Sequence, residues 1–399
     1  MTALLLNGKY PLAEVYQWIA GAEEEFVVAC GPSVDVTEAS RNRSMRVVPV
    51  PEYDRGDWIV PLCVERVVDR IIAISERDIL RAAAARELLG LPGQPISSAL
   101  AYRDKYVMKS VAATAGVPVP PMAAVRTLAD VAEFANVHGW PVVVKPRASA
   151  ACQGIVTLDN ETDLCRLPRT LDHIVEAWLN MPTFHVDGLM RDGDVLHSSP
   201  SRYAMPNLES IERLRPCVSA MLDPVSDARV LALRTQTARV VRALPATSAA
   251  MAFHAEFFLD DSEPVLCEIA SRPANPTLAD VQWRAYGYSL HREAILGQAV
   301  DSTFVPPSGG PTGLFGWAFF PRRNGVLAAL PQDALPGEVW LDLRAELGRT
   351  YTKATAPLDH VAKAVFRVNP SRTEAGAEAV VRWWEEGARW LDGTDEEWN

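Results

Sequence analysis

Short apolar runs alternate with polar segments through the first 75 residues of the chain. Continuous runs at 3–6, 26–30, 45–50 and 70–74 predict buried strands, and the segments 12–20 and 62–68 between them have helical patterning. Strands that alternate with helices typically form a parallel sheet with crossover helices. We therefore predict an N-terminal α/β domain over residues 1–103. No G-x-G-x-x-G sequence follows the first strand, so this domain is not predicted to bind a dinucleotide.

The rest of the chain mixes helices with hairpins, which indicates an α+β arrangement behind the α/β domain. The strand at 140–146 ends at a proline, and a loop of small and polar residues (147–154) separates it from the next strand. Residues 306–311 are rich in proline and glycine and predict a loop or a subdomain joint. Residues 392–399 form a polar tail. The further predicted helices are 76–89, 105–116, 128–137, 225–244, 290–296 and 374–391, and the further strands are 140–146, 155–158, 173–179, 184–189, 195–198, 313–320 and 361–368.

The segment 251–270 predicts a β-hairpin, because two apolar, aromatic-rich runs flank the turn residues 260–262. If Leu259 pairs with Val265, then Glu256 lies opposite Glu268, with Cβ atoms roughly 5 Å apart. Two carboxylates this close repel each other unless a cation lies between them. A hard divalent cation that arrives with a nucleoside triphosphate is the natural candidate. Arg272, four residues later, adds a guanidinium suited to phosphate or carboxylate.

Composition and charge narrow the class of protein. The chain has 399 residues, enough for two or three domains, and its net charge of −11 disfavours a general nucleic-acid or anionic-membrane role. No apolar run approaches the ~18 residues of a membrane helix, and the start lacks the basic region of a signal peptide. The six cysteines form no C-x-x-C pair, which favours reduced thiols and a cytoplasmic location. Cys152 lies in the 147–154 loop, so a reactive thiol stays open there.

Four features of the sequence follow one another in a recognisable order. They are residues 103–105 (Arg-Asp-Lys) at the start of a helix, residues 144–146 (Val-Lys-Pro) before the small-residue loop, residues 176–179 (Glu-Ala-Trp-Leu), and the acidic hairpin with Arg272. In this order and spacing, they resemble the ATP-grasp superfamily in its carboxylate–amine ligase branch, over about residues 75–300. The resemblance implies an ATP-grasp fold after the N-terminal domain. Its small lid subdomain would cover 104–180, and its large subdomain with a C-terminal extension would cover 181–399.

The resemblance also implies roles for individual residues. Lys105 and Lys145 would contact the phosphates of ATP, and the loop 149–154 would close over them. The Glu176 side chain and the backbone of the next three residues would read the adenine edge. Glu256 and Glu268 would hold Mg²⁺ or Mn²⁺, and Arg272 would stabilise an acyl phosphate and a tetrahedral intermediate. The implied ATP-binding residues are Lys105, Lys145, Ser149, Gln153, Gly154, Glu176, Ala177, Trp178, Leu179 and Thr183.

Three positions depart from the usual pattern of the family. Thr183 stands where a glutamate often binds the ribose, and Ala270 stands where an asparagine often completes the metal site. The loop 149–154 also has fewer glycines than is usual in the family. These departures keep open a non-catalytic nucleotide-binding module as one alternative to an enzyme.

The reaction that the resemblance implies joins a carboxylic acid to an amine. ATP would convert the acid to an acyl phosphate with release of ADP, and the amine would then displace phosphate to give an amide. Amino acids or small peptides are the expected substrates, and His254, Trp283 and Arg284 are candidate substrate contacts. Another acyl-phosphate enzyme, of the carboxylase type, is the second alternative. We expect no nucleic-acid or membrane partner, and the sequence favours neither a monomer nor a homodimer.

Overall fold

The computed structural model describes residues 1–37, 45–300, 304–305, 309–355 and 359–391. Its N-terminal part is a four-stranded parallel sheet in the order β3-β2-β1-β4, which confirms the predicted α/β domain type. Five consecutive residues of β1 are buried, as expected for a strand covered on both faces. The elements are β1 Thr2–Asn7, β2 Glu25–Cys30, β3 Met45–Pro49, β4 Arg70–Ala73, α1 Leu12–Ile19, α2 Ile59–Arg66, α3 Ile79–Leu89 and α4 Ile96–Ala101.

A second, antiparallel sheet has the order β5-β8-β6-β7 and carries the small-residue loop between β6 and β7. Helix α5 begins at Lys105 because the Asp104 side chain accepts hydrogen bonds from the backbone N–H groups of Tyr106 and Val107. The elements are β5 Met122–Val125, β6 Val142–Pro146, β7 Val156–Leu158, β8 His173–Ala177, α5 Lys105–Thr114 and α6 Leu128–His138.

The remainder of the chain forms an eight-stranded antiparallel sheet in the order β13-β12-β9-β10-β11-β14-β18-β16. Helices α5 and α8 cover one face of its β9, β12 and β13 end, around Phe253, Phe257 and Leu233. The strands are β9 Thr183–Arg191, β10 Asp194–Tyr203, β11 Cys217–Met221, β12 Met251–Phe258, β13 Val265–Ala270, β14 Leu314–Pro321, β16 Glu338–Leu343 and β18 His360–Val368. The helices are α7 Asn207–Glu212, α8 Arg229–Ala243, α9 Pro276–Tyr286, α10 Leu290–Ala299 and α11 Thr373–Gly387.

The C-terminal segment differs from its prediction as one long helix. Helix α11 ends at Gly387, and β19 (Arg389–Leu391) joins a small sheet with β15 (Gly325–Ala329) and β17 (Thr350–Tyr351). Pairing with β15 gives residues 389–391 backbone hydrogen bonds in place of those of a continued helix. The predicted tail at 392–399 and part of the predicted 306–311 joint lie outside the described residues.

Helix α10 joins the N-terminal sheet to the large sheet. Its Leu290 and Ile295 pack in one apolar core with Leu5 and Val28 of the parallel sheet and with Leu189 of β9. This packing places the carboxyl end of β1 next to the edge of the large sheet that bears Glu256 and Glu268. The domain ranges 1–103, 104–180 and 181–399 stay a prediction. Among the described residues, no helix combines the length and apolarity that a membrane crossing requires.

Candidate active site

A cavity of about 930 Å³ opens between the second sheet and the large sheet. We call it the first cavity. The sequence-predicted residues that line it are Lys105, Lys145, Ser149, Glu176, Ala177, Trp178, Leu179, Thr183, Glu256 and Glu268.

Glu176 forms a buried ion-pair triad with two lysines. One carboxylate oxygen bonds to the Lys109 ammonium, and the other lies 2.8 Å from Lys145 Nζ. Burial alone would raise the pKa of Glu176, but the two ammonium charges outweigh it and lower that pKa to about 2. Burial lowers the pKa of Lys145, yet the Glu176 charge raises it above its ordinary value overall, so Lys145 stays protonated.

Glu176, whose side chain is predicted to contact adenine, lines the first cavity. That carboxylate is buried and committed to Lys109 and Lys145. Residues 177–179, which we call the hinge, line the first cavity together with Glu176, and Trp178 is half-buried at its wall. Thr183 also lines the cavity, and its buried hydroxyl has no hydrogen-bond partner among the described residues.

Lys105 connects the helix start, the loop and the acidic hairpin. Its ammonium donates to the Ser149 carbonyl at 3.0 Å and lies 3.3 Å from Glu268 Oε2. The side chain is buried, so these contacts offset the loss of water around the charge. Lys105 is held in this position because it is the first residue of α5, whose start Asp104 caps. Asp104 also pairs with Arg147 at 2.7 Å.

The small-residue loop folds over the first cavity in a strained conformation. Ala151 (φ 53°), Cys152 (φ 58°) and Gly154 (φ 73°) all have left-handed backbone angles, which cost a non-glycine residue roughly 1 kcal/mol. A side chain at Gly154 would also collide with Pro146, since a Cβ there would lie 2.8 Å from its Cγ. The Arg103 guanidinium donates to the Ser149 and Ala148 carbonyls at 3.0 and 2.8 Å and tethers the loop. Gln153 and Gly154 are exposed and line neither this cavity nor the second one described below.

Glu256 and Glu268 stand opposite each other on β12 and β13, as predicted. Glu256 accepts hydrogen bonds from Tyr203 Oη (2.9 Å) and Asn207 Nδ2 (3.1 Å). Burial would raise the pKa of Glu268, but the nearby charges of Lys105, Lys145 and Arg272 lower it to about 2. Glu268 is therefore an ionised carboxylate that lines the first cavity and is still about one third exposed.

A chain of buried polar side chains continues behind Glu256. His254 Nε2 lies 3.3 Å from Glu256, and its Nδ1 lies 2.8 Å from Asp187. Asp187 also bonds to His185 Nδ1 at 2.5 Å, and His185 Nε2 meets the Ser219 hydroxyl at 2.6 Å. Burial would lower the pKa of His254, but Asp187 raises it to about 10.

The ring and carboxylate atoms of His185, Asp187 and His254 lie within 4.8 Å of one another, a spacing that could hold a metal ion. Each of these side chains already has a partner in the chain that ends at Glu256. We therefore interpret the cluster as hydrogen-bonded support for the Glu256 carboxylate.

A second cavity of about 920 Å³ meets the first at Glu256, Glu268 and the loop 150–152. Arg272 and His254 line this second cavity, and neither lines the first. The Arg272 guanidinium donates to Glu76 at 2.6 Å through Nε and to the Pro273 carbonyl at 3.1 Å through Nη1. Glu76 therefore holds Arg272 on one side.

Trp283 and Arg284 do not belong to this site. Both lie on α9, but the face they occupy points away from the two cavities. Trp283 is 57% exposed and lines a separate surface cleft with Trp18 and Arg292. Arg284 pairs with Asp280 one turn earlier at 2.8 Å. The helix start at Asn275 lines the second cavity, so helical rotation carries residues 283 and 284 to another face.

Cys152 lines both cavities, and burial together with the charges of Glu256 and Glu268 raises the pKa of its thiol. A protonated thiol is a poor nucleophile, so the structure does not favour a reactive role. Cys30, Cys63 and Cys217 are buried as predicted, whereas Cys165 is exposed.

The sequence analysis missed several polar residues of the site. Lys109 follows Lys105 by one helical turn, and a lysine at that spacing on an otherwise apolar helix face was a usable signal. Tyr203, Asn207 and Asp187 come from β10, α7 and β9, and no local pattern marks them. Only the order of strands in the sheet brings them beside Glu256.

Comparisons with known proteins agree with this geometry. The chain is 27% identical over 288 residues to the L-arginine-specific L-amino acid ligase of Bacillus subtilis, covering 68% of this chain and 66% of that protein. It is 27% identical over 257 residues to D-alanine–D-alanine ligase of Streptomyces coelicolor, covering 56% and 62%. The chain thus spans just under two thirds of the length of these relatives. No family model matches the sequence.

The whole fold also matches a solved structure. The L-amino acid ligase from Bacillus licheniformis superposes with a TM-score of 0.73 at 17% identity, over 98% of this chain and 99% of that one. At this identity the match shows the fold alone, and it confirms the predicted ATP-grasp fold behind an α/β domain. Together with the relatives found by sequence, this match makes the chain similar to ATP-grasp carboxylate–amine ligases.

Proposed function

We propose that this protein is an ATP-dependent ligase that joins the carboxylate of one amino acid to the amine of another through an acyl phosphate. One observation carries the proposal. Two opposed carboxylates, Glu256 and Glu268, line a single cavity with Lys105 and Lys145, where an unneutralised pair of acids would repel. The relatives are amino-acid ligases, which supports the same chemistry.

The residues present fit a magnesium ion. Glu256 and Glu268 offer carboxylate oxygens, the ligand type that Mg²⁺ and Mn²⁺ prefer, and burial raises the pKa of the two thiols that line the same cavity, Cys152 and Cys267. Ala270 lacks the side-chain oxygen of the usual asparagine, while Asn207 places an amide group beside Glu256. A bound divalent ion would neutralise charge that builds up on the phosphates.

The protein's own groups would bind, orient and shield the reactants. Lys105 and Lys145 would hold phosphate oxygens from the helix side and the sheet side. The hinge backbone at 177–179 would position the base, and Thr183 would face the ribose. The loop 149–154 would exclude water from the acyl phosphate, which hydrolyses readily.

Arg272 would stabilise the anionic intermediate from the second cavity. It lines the second cavity together with Glu256 and Glu268, and Glu76 holds its guanidinium. One electrostatic contact of this kind typically contributes about 3 kcal/mol at the transition state. His254 borders the same place and supports Glu256. We assign no substrate role to Trp283 or Arg284.

The test is ADP release in the presence of ATP and Mg²⁺ with pairs of L-amino acids. A ligase releases ADP in step with a dipeptide seen by mass spectrometry, and only when both an acid and an amine are present. ADP release that depends on bicarbonate, with no amide product, would indicate the carboxylase alternative. Tight ATP binding without turnover would indicate a nucleotide-binding module.

We also propose that the protein is located in the cytoplasm.

A further inference from the structure

We propose that the second cavity binds the acid substrate and selects an amino acid with an apolar or aromatic side chain. This inference rests on the proposed ligase function and assigns a substrate class to it. The cavity has two chemically different ends. Glu256 and Glu268, where this cavity meets the first, form with Arg272 what we call the charged end, and buried apolar residues form another part of the wall, which we call the apolar end.

The charged end suits the carboxylate that is to be activated. Arg272, Glu256 and Glu268 meet there, so an acid held at Arg272 lies beside the proposed phosphate and metal positions. Lys9, an exposed residue of the loop after β1, lines the same cavity. The side chain of an acid oriented in this way would extend away from the two glutamates.

The apolar end is built from β11, β14 and α9. Trp317 and Phe319 alternate along β14 and therefore point to the same face of the sheet, with ring centroids 4.9 Å apart. Tyr203 packs edge-on against Trp317 at 6.2 Å, and His360 stacks on Phe319 at 4.6 Å. The apolar lining residues are all buried: Trp317, Phe319, Leu278, Ala274 and Cys217.

Among the described lining residues of this cavity, every carboxylate already has a partner, so none is free to pair with a cationic side chain of the substrate. Among the described residues that line it, the acids are Glu76, Glu256 and Glu268. Glu76 bonds to Arg272 and Arg103, while Glu268 is paired with Lys105 and Glu256 is hydrogen-bonded by Tyr203 and Asn207. An arginine or lysine side chain would lose water at the apolar end without gaining a partner there, which is costly. An aspartate or glutamate side chain would likewise lose water against the buried apolar residues.

The first experiment compares acid substrates with the unmodified protein. Each of Phe, Leu, Met, Ala, Arg, Lys, Asp and Glu is offered as the acid, blocked at its amine by acetylation so that it cannot act as the acceptor, with alanine amide as the amine. We expect kcat/KM from ADP release to be at least about tenfold higher for Phe, Leu or Met than for any charged acid. Higher values for arginine or glutamate would overturn the selectivity and leave the ligase function standing. Absence of ADP release and of amide with every pair, repeated with unblocked amino acids, would overturn both.

The second experiment tests whether the aromatic pair of β14 sets that preference. Phe319→Leu and Trp317→Phe should each lower kcat/KM for the favoured acid by about tenfold or more, with the KM for ATP unchanged. Phe320→Leu is the matched control, because Phe320 is the next residue on the strand but stacks on Trp384 at the opposite face. If Phe320→Leu changes the order of preference among acids as much as Phe319→Leu does, the assignment is wrong. Melting temperatures separate these effects from loss of fold.

Discussion

Glu256 lies opposite Glu268 because a β-bulge at Cys267 adjusts the register of the hairpin. Phe258 pairs with Val265 and Phe257 with Leu266, and the register then shifts by one residue so that Glu256 meets Glu268. The predicted pairing of Leu259 with Val265 was therefore wrong, although the pairing of the two acids was correct. A bulge increases local twist and re-aims side chains, and it is common beside functional sites.

The first prediction concerns the exposed member of this acidic pair. Glu268→Gln should lower the rate of ADP release at least about 100-fold, because an amide cannot supply the charge that a metal and phosphates require. The melting temperature should change little, since Glu268 is partly exposed. A coupled assay for ADP measures the rate.

Glu263→Gln is the matched control for that variant. Glu263 lies in the turn of the same hairpin, where it pairs with Arg239 at the surface. It should keep nearly full activity. Equal activity of Glu268→Gln and Glu263→Gln would contradict the assigned role of Glu268.

The second prediction separates the two lysines that share Glu176. Lys145 lines the first cavity, whereas Lys109 is wholly buried and does not line it. Lys145→Ala should weaken binding of a non-hydrolysable ATP analogue by at least about tenfold, which is about 1.4 kcal/mol. Isothermal titration calorimetry measures this affinity.

Lys109→Met should act mainly on stability. Removing one partner of a buried ion pair typically costs about 3–5 kcal/mol, because charge is left uncompensated. The melting temperature should fall, while the affinity of the folded protein for the ATP analogue should decrease less than in Lys145→Ala. If Lys109→Met lost more affinity than Lys145→Ala, the assignment of phosphate contact to Lys145 would fail.

The third prediction addresses the support behind Glu256. Asp187 bonds to both His185 and His254, and His254 in turn contacts Glu256. Asp187→Asn should weaken the apparent affinity for Mn²⁺ by about 10- to 100-fold, the usual cost of losing a group that orients a metal ligand. Binding of the ATP analogue without metal should be unchanged.

Electron paramagnetic resonance of free Mn²⁺ gives that affinity directly. Ser219→Ala removes only the far end of the chain, the contact with His185 Nε2, and should have a smaller effect. Equal effects of Asp187→Asn and Ser219→Ala would mean that the chain does not orient Glu256.

The fourth prediction concerns the pH dependence of stability. His291 is buried against Trp18, with ring centroids 4.4 Å apart, and neither ring nitrogen has a partner among the described residues. Burial, with the charges of Lys9 and Arg272, lowers its pKa to about 3. The unfolded chain protonates this imidazole near pH 6.5, whereas the folded protein does not. Stability is therefore fully present above pH 6.5 and is lost as the pH falls towards 3.

His291→Phe should remove that loss. The wild-type protein should lose about 2 kcal/mol through this group between pH 6.5 and 5, and the variant should have a correspondingly flatter profile. The free energy of unfolding from urea titrations at several pH values measures the difference. Parallel profiles for the two proteins would contradict the prediction.

Local patterns predicted much of the fold because they report burial directly. The unbroken apolar strands of the parallel sheet and the turn residues of the acidic hairpin are examples. The end of helix α11 was not predicted, because residues 389–391 pair with β15, about 60 residues earlier in the chain, instead of continuing the helix. Contacts between residues so far apart in the sequence leave no periodic pattern of apolar residues.

The site was predictable where its residues are close in sequence. Glu256, Glu268 and Arg272 lie in one hairpin and its exit, and Lys105 and Lys145 sit at element ends. The commitment of Glu176 to Lys109 and Lys145 was not predictable, since three elements meet there. The placement of Trp283 failed for a simpler reason, because nearness in sequence to Arg272 does not determine which face of α9 points to the cavity.

The central claim is that the two hairpin carboxylates hold a metal ion carried by a nucleotide. The most direct measurement is a crystal structure with a non-hydrolysable ATP analogue and Mn²⁺, with the metal located by anomalous scattering. We expect Mn²⁺ in contact with Glu256, Glu268 and the phosphates, and the base beside residues 177–179. Phosphates and metal bound elsewhere, with Glu256 and Glu268 free of both, would contradict the claim.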